Sequence, residues 1–218
     1  MSAKKILMVV TNHAVIDEEH RTGIWLEEFA VPYQVFKENG FEVTVASPKG
    51  GAAPVDPRSL NDEWKDEKAL LDDTVKLADI QTDAYDALFF PGGHGTMFDF
   101  PNDRSVQDAI RRFDDQQKVI AAVCHGPAAL VGATRSDGTP LVAGKTVTSF
   151  TDEEERASKL DAYMPFLLES KLRELGAKFV AKEKWSDHVE VDGHLVTGQN
   201  PQSSRSIALK VVELLKAE

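Results

Sequence analysis

The single cysteine of the chain, Cys124, stands where a catalytic nucleophile would be expected. The apolar residues 119–123 before it include several β-branched side chains, which is typical of a buried strand. Gly126 permits a tight turn, and the Ala-Ala-Leu at 128–130 favours a helix. A reactive residue on a sharp turn between strand and helix is the layout of a nucleophile elbow. The pattern therefore predicts covalent catalysis through a cysteine thiolate.

A plain alternative is that Cys124 only fills the core, because free cysteine is among the most buried residue types. The two interpretations differ in what they predict for the thiol. At an elbow the following helix would direct its positive end at the sulfur and stabilise the thiolate. The catalytic interpretation therefore predicts a thiol pKa below the unperturbed value of about 8.5.

Strands and helices alternate along the chain, which predicts one α/β domain over residues 1–218 with a mostly parallel central sheet. Residues 52–83 interrupt this alternation as a polar excursion, interpreted as a flap or lid with a helical piece at 69–78. Asp192-Gly193 predicts a hairpin turn. The predicted strands cover residues 6–10, 41–46, 87–90, 119–123, 141–150, 179–180, 189–191 and 195–197, and the helices 24–39, 103–115, 153–157, 164–175 and 206–216.

Three segments of this predicted fold converge on one edge of the sheet. They are the polar loop at 11–22, the glycine-rich loop at 92–95 and the Cys124 turn, each directly after a predicted strand. Active sites of open parallel sheets lie outside the carboxyl ends of the strands, so this convergence favours catalysis over core packing for Cys124. His94, inside the glycine-rich loop, either lines that site or lies at the surface.

The composition excludes several classes of function. A net charge of −11 argues against nucleic acid and anionic membranes as partners, since both are polyanions. One cysteine cannot form an internal disulfide, which suits a reducing compartment. No apolar run reaches the length of a membrane span. We therefore expect a cytoplasmic protein.

Five motifs together resemble the ThiJ/PfpI family of the class I glutamine amidotransferase-like superfamily, and within it the glyoxalase III and heat-shock chaperone branch. They follow one another in the family's order across nearly the whole chain, which makes the combination specific although each motif alone is weak. The resemblance implies a flavodoxin-like three-layer sandwich. The motifs are TGIWLEE (22–28), FPGGHG (90–95), AAVCHGP (121–127), SFTDEEE (149–155) and VTGQNP (196–201).

Matched residue by residue, the resemblance implies that Cys124 is the nucleophile, followed by the branch histidine His125. Glu155 matches the acidic member of the triad, and Glu28 matches the carboxylic acid that faces the sulfur. Backbone amides at Gly93 and His125 match the oxyanion hole. Acidic neighbours leave room for an error of one residue in the two glutamate assignments; they are Glu27, Glu153 and Glu154.

The resemblance implies a cofactor-free, glutathione-independent glyoxalase of the D-lactate dehydratase class, a lyase acting on methylglyoxal-type dicarbonyls. Two alternatives stay open, a redox-sensitive stress protein or holding chaperone and a cysteine hydrolase or peptidase of the same fold. Glutamine hydrolysis is rejected because residues 198–201 lack the histidine of the amidotransferases. No metal is expected, since residues 52–83 contain no histidine. The resemblance also implies a homodimer, because members of the family commonly pair as two-fold dimers.

Overall fold

The computed structural model describes residues 2–218 as one α/β fold. The strands are β1 (Lys5–Val9), β2 (Glu42–Ser47), β3 (Val75–Lys76), β4 (Ala87–Phe90), β5 (Val119–Val123), β6 (Thr146–Val147), β7 (Lys178–Phe179), β8 (Val189–Asp192) and β9 (Leu195–Gly198). The α-helices are α1 (Leu26–Glu38), α2 (Lys65–Ala69), α3 (Thr96–Asp99), α4 (Arg104–Asp115), α5 (Ala128–Val131), α6 (Asp152–Ala157), α7 (Leu168–Glu174) and α8 (Ser204–Lys216).

Seven strands form the central sheet in the order β3-β2-β1-β4-β5-β9-β8. All neighbouring pairs are parallel except β8 with β9, which form the hairpin predicted at Asp192-Gly193. The inner five strands follow the flavodoxin-like order. The strands that follow β1 in the sequence lie on one side of it as far as β3, and on its other side from β4 onward, so the strand order reverses between β1 and β4. The predicted α/β architecture with a mostly parallel sheet is confirmed.

Helices cover both faces of the sheet because the strands bury side chains on each side. Along β5, Ile120 belongs to the core beneath α4 and α5, whereas Ala121 belongs to the core beneath α1 and α8. Period-2 alternation of this kind places successive side chains on opposite faces. All five β5 residues are buried, so this segment can reach a cavity only where the strand ends.

Three predicted elements differ in the structure. Residues 141–150 contain only the short β6, because a turn at Gly144, with φ of +75°, ends the preceding stretch; β6 pairs with β7 outside the main sheet. The helix predicted at 164–175 begins at Leu168, since Pro165 disfavours helical geometry at the residue before it. The helix predicted at 69–78 is wrong, because the chain leaves helical geometry and pairs β3 with β2.

The excursion at 52–83 folds mainly into 3-10 turns and packs beside the start of α1. Ile24 accepts a backbone hydrogen bond from Asp56 and donates one to Pro54, and Ser59 Oγ accepts from the Leu26 amide. These contacts fasten the excursion at the carboxyl edge of the sheet. Its movement as a lid stays a prediction. Within residues 2–218, none of the helices has the length and apolar character needed to cross a membrane.

Candidate active site

The Cys124 turn is strained in the way an elbow requires. Cys124 follows β5 directly and has φ of +61°, a left-handed conformation that costs a non-glycine residue energy. Its amide is held by the Gly198 carbonyl at 2.9 Å. A side chain at Gly126 would lie 2.2 Å from the Phe90 carbonyl, so only glycine lets the turn sit this close to β4. The strain presents the sulfur to the cavity beyond the sheet.

His125 and Glu155 line up behind the sulfur. His125 Nδ1 lies 3.5 Å from Cys124 Sγ, and its Nε2 lies 2.8 Å from Glu155 Oε1. Both residues are buried. The carboxylate on α6 fixes the ring so that its other nitrogen faces the sulfur, which is the geometry of a base oriented by a third group.

A second histidine contacts the same carboxylate. His94 Nε2 lies 2.7 Å from Glu155 Oε2, so each oxygen of Glu155 has its own imidazole partner. Burial alone would raise the pKa of Glu155, but the two histidines outweigh it and lower that pKa well below its usual range. Glu155 is therefore ionised. Of the two positions considered for His94, the structure shows the buried one, inside the site.

Glu28 is a second carboxyl group beside the sulfur. It lies on the first turn of α1 and is fully buried. Its Oε1 accepts a hydrogen bond from the Gly92 amide at 2.8 Å, and its Oε2 has no hydrogen-bond partner among residues 2–218. Burial raises the pKa of Glu28 well above its ordinary value, so this carboxyl keeps its proton.

The prediction of a low thiol pKa is wrong for the resting site. Burial raises the pKa of the Cys124 thiol well above its usual value. The expected helix dipole is small here because α5 begins only at Ala128 and is four residues long. The resting site therefore holds a thiol, and the proton must leave the sulfur as it attacks.

Two backbone amides near the sulfur are available to an anion. The amides of Gly93 and His125 donate no hydrogen bond within the described residues 2–218. Gly92 lies next to these two amides. A side chain there would lie 2.5 Å from Glu28 Oε1 and 2.8 Å from the backbone nitrogen of His125. Glycine there keeps carboxyl, amide and sulfur within one small space. The oxyanion role of Gly93 and His125 stays a prediction that this arrangement favours.

The acidic neighbours that could have been confused with Glu28 and Glu155 have other surroundings. Glu27 is half-buried and lines the cavity mouth. Glu153 is exposed and lies 3.6 Å from Lys184. Glu154 is buried, closes a capping box with Thr151 and accepts hydrogen bonds from the loops that precede β8 and follow β9. Only Glu28 and Glu155 lie against the Cys124 and His125 side chains.

The cavity above Cys124 has a volume of about 230 Å³. Its walls are more apolar than polar and include three large aromatic side chains, which suits a small substrate with a carbonyl near the sulfur. Sequence reasoning missed Arg58, which reaches the cavity from the excursion, and Trp185; no motif distinguished either one. The lining residues are Trp25, Glu27, Arg58, Gly93, His94, Cys124, His125, Phe150, Ser158, Trp185, Pro201 and Gln202.

His94, His125 and Glu155 are also the one group among residues 2–218 whose nitrogen and oxygen atoms, within 4.8 Å of one another, could surround a metal ion. Those atoms hydrogen-bond one another at 2.7 and 2.8 Å. The guanidinium of Arg58 lies beside them, 3.4 Å from His94 Nδ1. Hydrogen bonds thus satisfy the cluster without an ion, and the neighbouring cation disfavours one.

Comparison with known proteins begins with the sequence. Residues 21–214 match the model of the DJ-1/PfpI family. The chain is 34% identical to the glutathione-independent glyoxalase HSP31 of Saccharomyces cerevisiae, over 99% of this chain and 100% of the relative.

Solved structures agree with that likeness. The structure of glyoxalase III from Candida albicans superposes with a TM-score of 0.88 at 30% identity, over 96% of each chain. The Rapid Encystment Protein 24 KDa of Francisella tularensis superposes with a TM-score of 0.92 at 34% identity, over 96% of this chain and 98% of the other. The likeness covers nearly all of every chain compared.

Proposed function

Because the chain belongs to the DJ-1/PfpI family, we propose that it is a cofactor-free, glutathione-independent glyoxalase that converts methylglyoxal-type dicarbonyls to 2-hydroxy acids. Relatives and a solved neighbour named as glyoxalases support this at full length. The observation that carries the proposal is the pair of groups on either side of Cys124, a histidine held by a carboxylate and a carboxyl that keeps its proton.

In the first step the sulfur adds to the aldehyde carbon and forms a hemithioacetal. The thiol proton passes to His125 Nδ1, 3.5 Å away, and Glu28 gives its proton to the aldehyde oxygen. The free amides of Gly93 and His125 stabilise negative charge on that oxygen while it develops. After this step His125 is a positively charged imidazolium and Glu28 is a negatively charged carboxylate, both next to the sulfur.

In the second step Glu28, now a carboxylate, takes the proton from the former aldehyde carbon and returns it to the neighbouring carbon. The ketone oxygen gains a proton as the enediol forms, and the first hydroxyl loses its proton as it becomes the new carbonyl. The product is a thioester of the 2-hydroxy acid. Water then adds to the thioester carbonyl carbon and gives a proton to Glu28, which restores the resting carboxyl. The C–S bond breaks, and His125 returns its proton to the leaving sulfur. The former aldehyde carbon is oxidised by two electrons and the neighbouring carbon is reduced by two, so no external oxidant or reductant is needed.

Lactate formation from methylglyoxal by purified protein, in buffer without glutathione, tests the proposal. We expect turnover with wild-type protein and none with Cys124→Ala. Alkylation with iodoacetamide is a second way to block the nucleophile and should also stop turnover. Cys124 is the only cysteine, so alkylation of cysteine has one site. Absence of lactate would contradict the proposal. Aggregation suppression that survives Cys124→Ala would then favour the chaperone, and cleavage of a peptide or ester substrate would favour the hydrolase.

We also propose that the chain forms a homodimer. Apolar side chains of the excursion are exposed, Leu60 by 53%, Val75 by 44% and Leu70 by 39%, and burial in a two-fold interface would stabilise them. The net charge of −11 on each copy opposes association, so salt should strengthen the dimer. Light scattering in moderate salt is the measurement. A mass near 24.0 kDa over a wide concentration range would refute the dimer.

A further inference from the structure

Two histidines on one carboxylate raise the question of which of them carries a proton. His94 and His125 each contact a different oxygen of Glu155, and their ring centres lie only 4.0 Å apart. Two imidazolium ions at that distance in a buried site would repel strongly. Only a proton on His125 serves the proposed chemistry, because its Nδ1 faces the sulfur. A proton on His94 would occupy Glu155 without helping Cys124.

Arg58 distinguishes the two histidines. Its Nη2 lies 3.4 Å from His94 Nδ1. A guanidinium has only donors and is always protonated, so His94 Nδ1 must be the acceptor. The ring hydrogen of neutral His94 is then on Nε2, which donates to Glu155 Oε2 at 2.7 Å. Among residues 2–218, no such cation contacts His125 Nδ1, which faces Cys124 instead.

Arg58 is itself held firmly by a buried anion. Its Nε and Nη2 donate to the two carboxylate oxygens of Asp56 at 3.1 and 2.7 Å, and the Asp56 side chain is fully buried. The guanidinium also lies 5.7 Å from the centre of the Trp25 ring. A paired, stacked arginine keeps its donors in one direction, so its contact with His94 is built into the fold.

We infer that Arg58 is a positioning residue which, through His94, directs the exchangeable proton of this cluster onto His125. The inference deepens the proposed function and rests on it. Adding a proton to His94 Nδ1 would break the hydrogen bond from Arg58 and bring two cations together. The charged and titratable groups facing His94 are Arg58, His125 and Glu155. In agreement, burial first and then His125 and Arg58 lower the pKa of His94 to about 4, against the opposing effect of Glu155.

The experiment reads the imidazole nitrogens directly. Protein labelled with ¹⁵N in histidine reports, by long-range ¹H–¹⁵N correlation, which ring nitrogen carries hydrogen and at what pH each ring titrates. In the wild type we expect His94 to keep its hydrogen on Nε2 from about pH 5 to 8, since its pKa is about 4. A hydrogen on His94 Nδ1 in that range would overturn the inference without any variant.

Arg58→Met supplies the perturbation, since methionine keeps apolar contact with Trp25 but has neither charge nor donor. His94 should then take up its proton at a higher pH than in the wild type, although burial and His125 still hold its pKa below the ordinary value of about 6.5. Protonated His94 would compete for Glu155, so the fall of kcat at acidic pH should begin at a higher pH than in the wild type. Arg58→Lys, which keeps the cation, should restore most of the wild-type profile.

Arg104→Met is the matched control, because Arg104 is exposed and pairs only with Asp108; we expect wild-type behaviour from it. An Arg58→Met variant with a raised KM but unchanged His94 titration and unchanged pH profile would overturn the positioning role and make Arg58 a substrate contact. The ring measurements need no turnover. If they match expectation while no lactate forms, the proposed function fails and the assignment of the proton stands without its catalytic purpose.

Discussion

Two buried carboxyl groups flank the Cys124 sulfur, and they differ in charge. Glu28, on one side, receives one backbone N–H and faces a thiol, so burial dominates and raises its pKa. Glu155, behind His125 on the other side, receives an imidazole at each oxygen, so its pKa falls although it too is buried. The number of strong donors, and not the depth of burial, decides the charge. One site thereby holds a proton donor and a fixed anion on either side of one nucleophile.

Replacing the protonated carboxyl should give the largest effect. Glu28→Gln has the shape of the neutral acid and can still accept from Gly92, but it cannot move a proton between two carbons. We expect kcat for methylglyoxal to fall by about 10³-fold or more, within the range of a lost general acid–base. Iodoacetamide should still alkylate Cys124. Lactate assays with near-normal turnover would show that the proton moves through another group, with Glu27 the first to examine.

Replacing the ionised carboxyl should affect stability as well as activity. Glu155→Gln presents an amide N–H to one of two histidine N–H donors, so one buried hydrogen bond is lost. We expect a loss of about 2–4 kcal/mol in the free energy of unfolding at pH 7, measured by urea denaturation. The deficit should persist above the unfolded pKa of about 4.3 and shrink as the pH falls below it, because a lowered pKa stabilises only the ionised state.

The exposed neighbour Glu153 is the matched control for that variant, since its only ion pair is with Lys184 at the surface. Glu153→Gln should change the free energy of unfolding by less than about 0.5 kcal/mol at any pH. Equal losses in Glu153→Gln and Glu155→Gln would show that the two histidines do not hold Glu155 in the way the distances indicate.

The same comparison predicts a stability change of opposite sign at Glu28. Its raised pKa means that the folded state keeps a proton which the unfolded state loses above about pH 4.3. Wild-type stability from this group is therefore complete below that pH and declines as the pH rises toward the folded pKa. Glu28→Gln does not titrate and should be more stable than wild type by about 1–3 kcal/mol at pH 8. Urea midpoints for both proteins at pH 5 and pH 8 test this, and a gap that narrows with rising pH would contradict it.

The smallest effect is expected at Glu27. It is only half-buried and does not contact the sulfur. Burial, and then the charge of Glu63, raise its pKa. Glu27→Gln should change kcat by less than about threefold, because no proton of the proposed reaction passes through it. KM for methylglyoxal should shift modestly, since Glu27 lines the cavity. A loss comparable to that of Glu28→Gln would reverse the assignment of the two neighbours.

Much of the fold followed from local sequence signals. Buried parallel strands are continuous apolar runs, and the helices between them carry periodic apolar positions, so most central elements were recognisable. The two failures have different causes. Residues 141–150 contain a turn at Gly144, which is a local feature. Residues 69–78 exchange helical hydrogen bonds for pairing of β3 with β2, so their structure depends on a partner elsewhere in the chain.

Within the site, the sequence alone determined that Cys124 lies on an elbow, because the strand, the small Gly126 and the helix formers are neighbours in the chain. The resemblance to the family, carried over residue by residue, also singled out His125, Glu155 and Glu28. The spacing Thr151-x-x-Glu154 is a further local signal, because it is the signature of a capping box and marks Glu154 as a residue that holds the start of α6.

Charge states and the second histidine were decided only by the tertiary structure. The thiol pKa depends on how deeply the fold buries the sulfur, and the opposite pKa shifts of Glu28 and Glu155 depend on donors from other loops. Arg58 meets His94 only because the excursion is fastened to the start of α1. Protonation is a property of the surrounding atoms, and those atoms come together only when the chain folds.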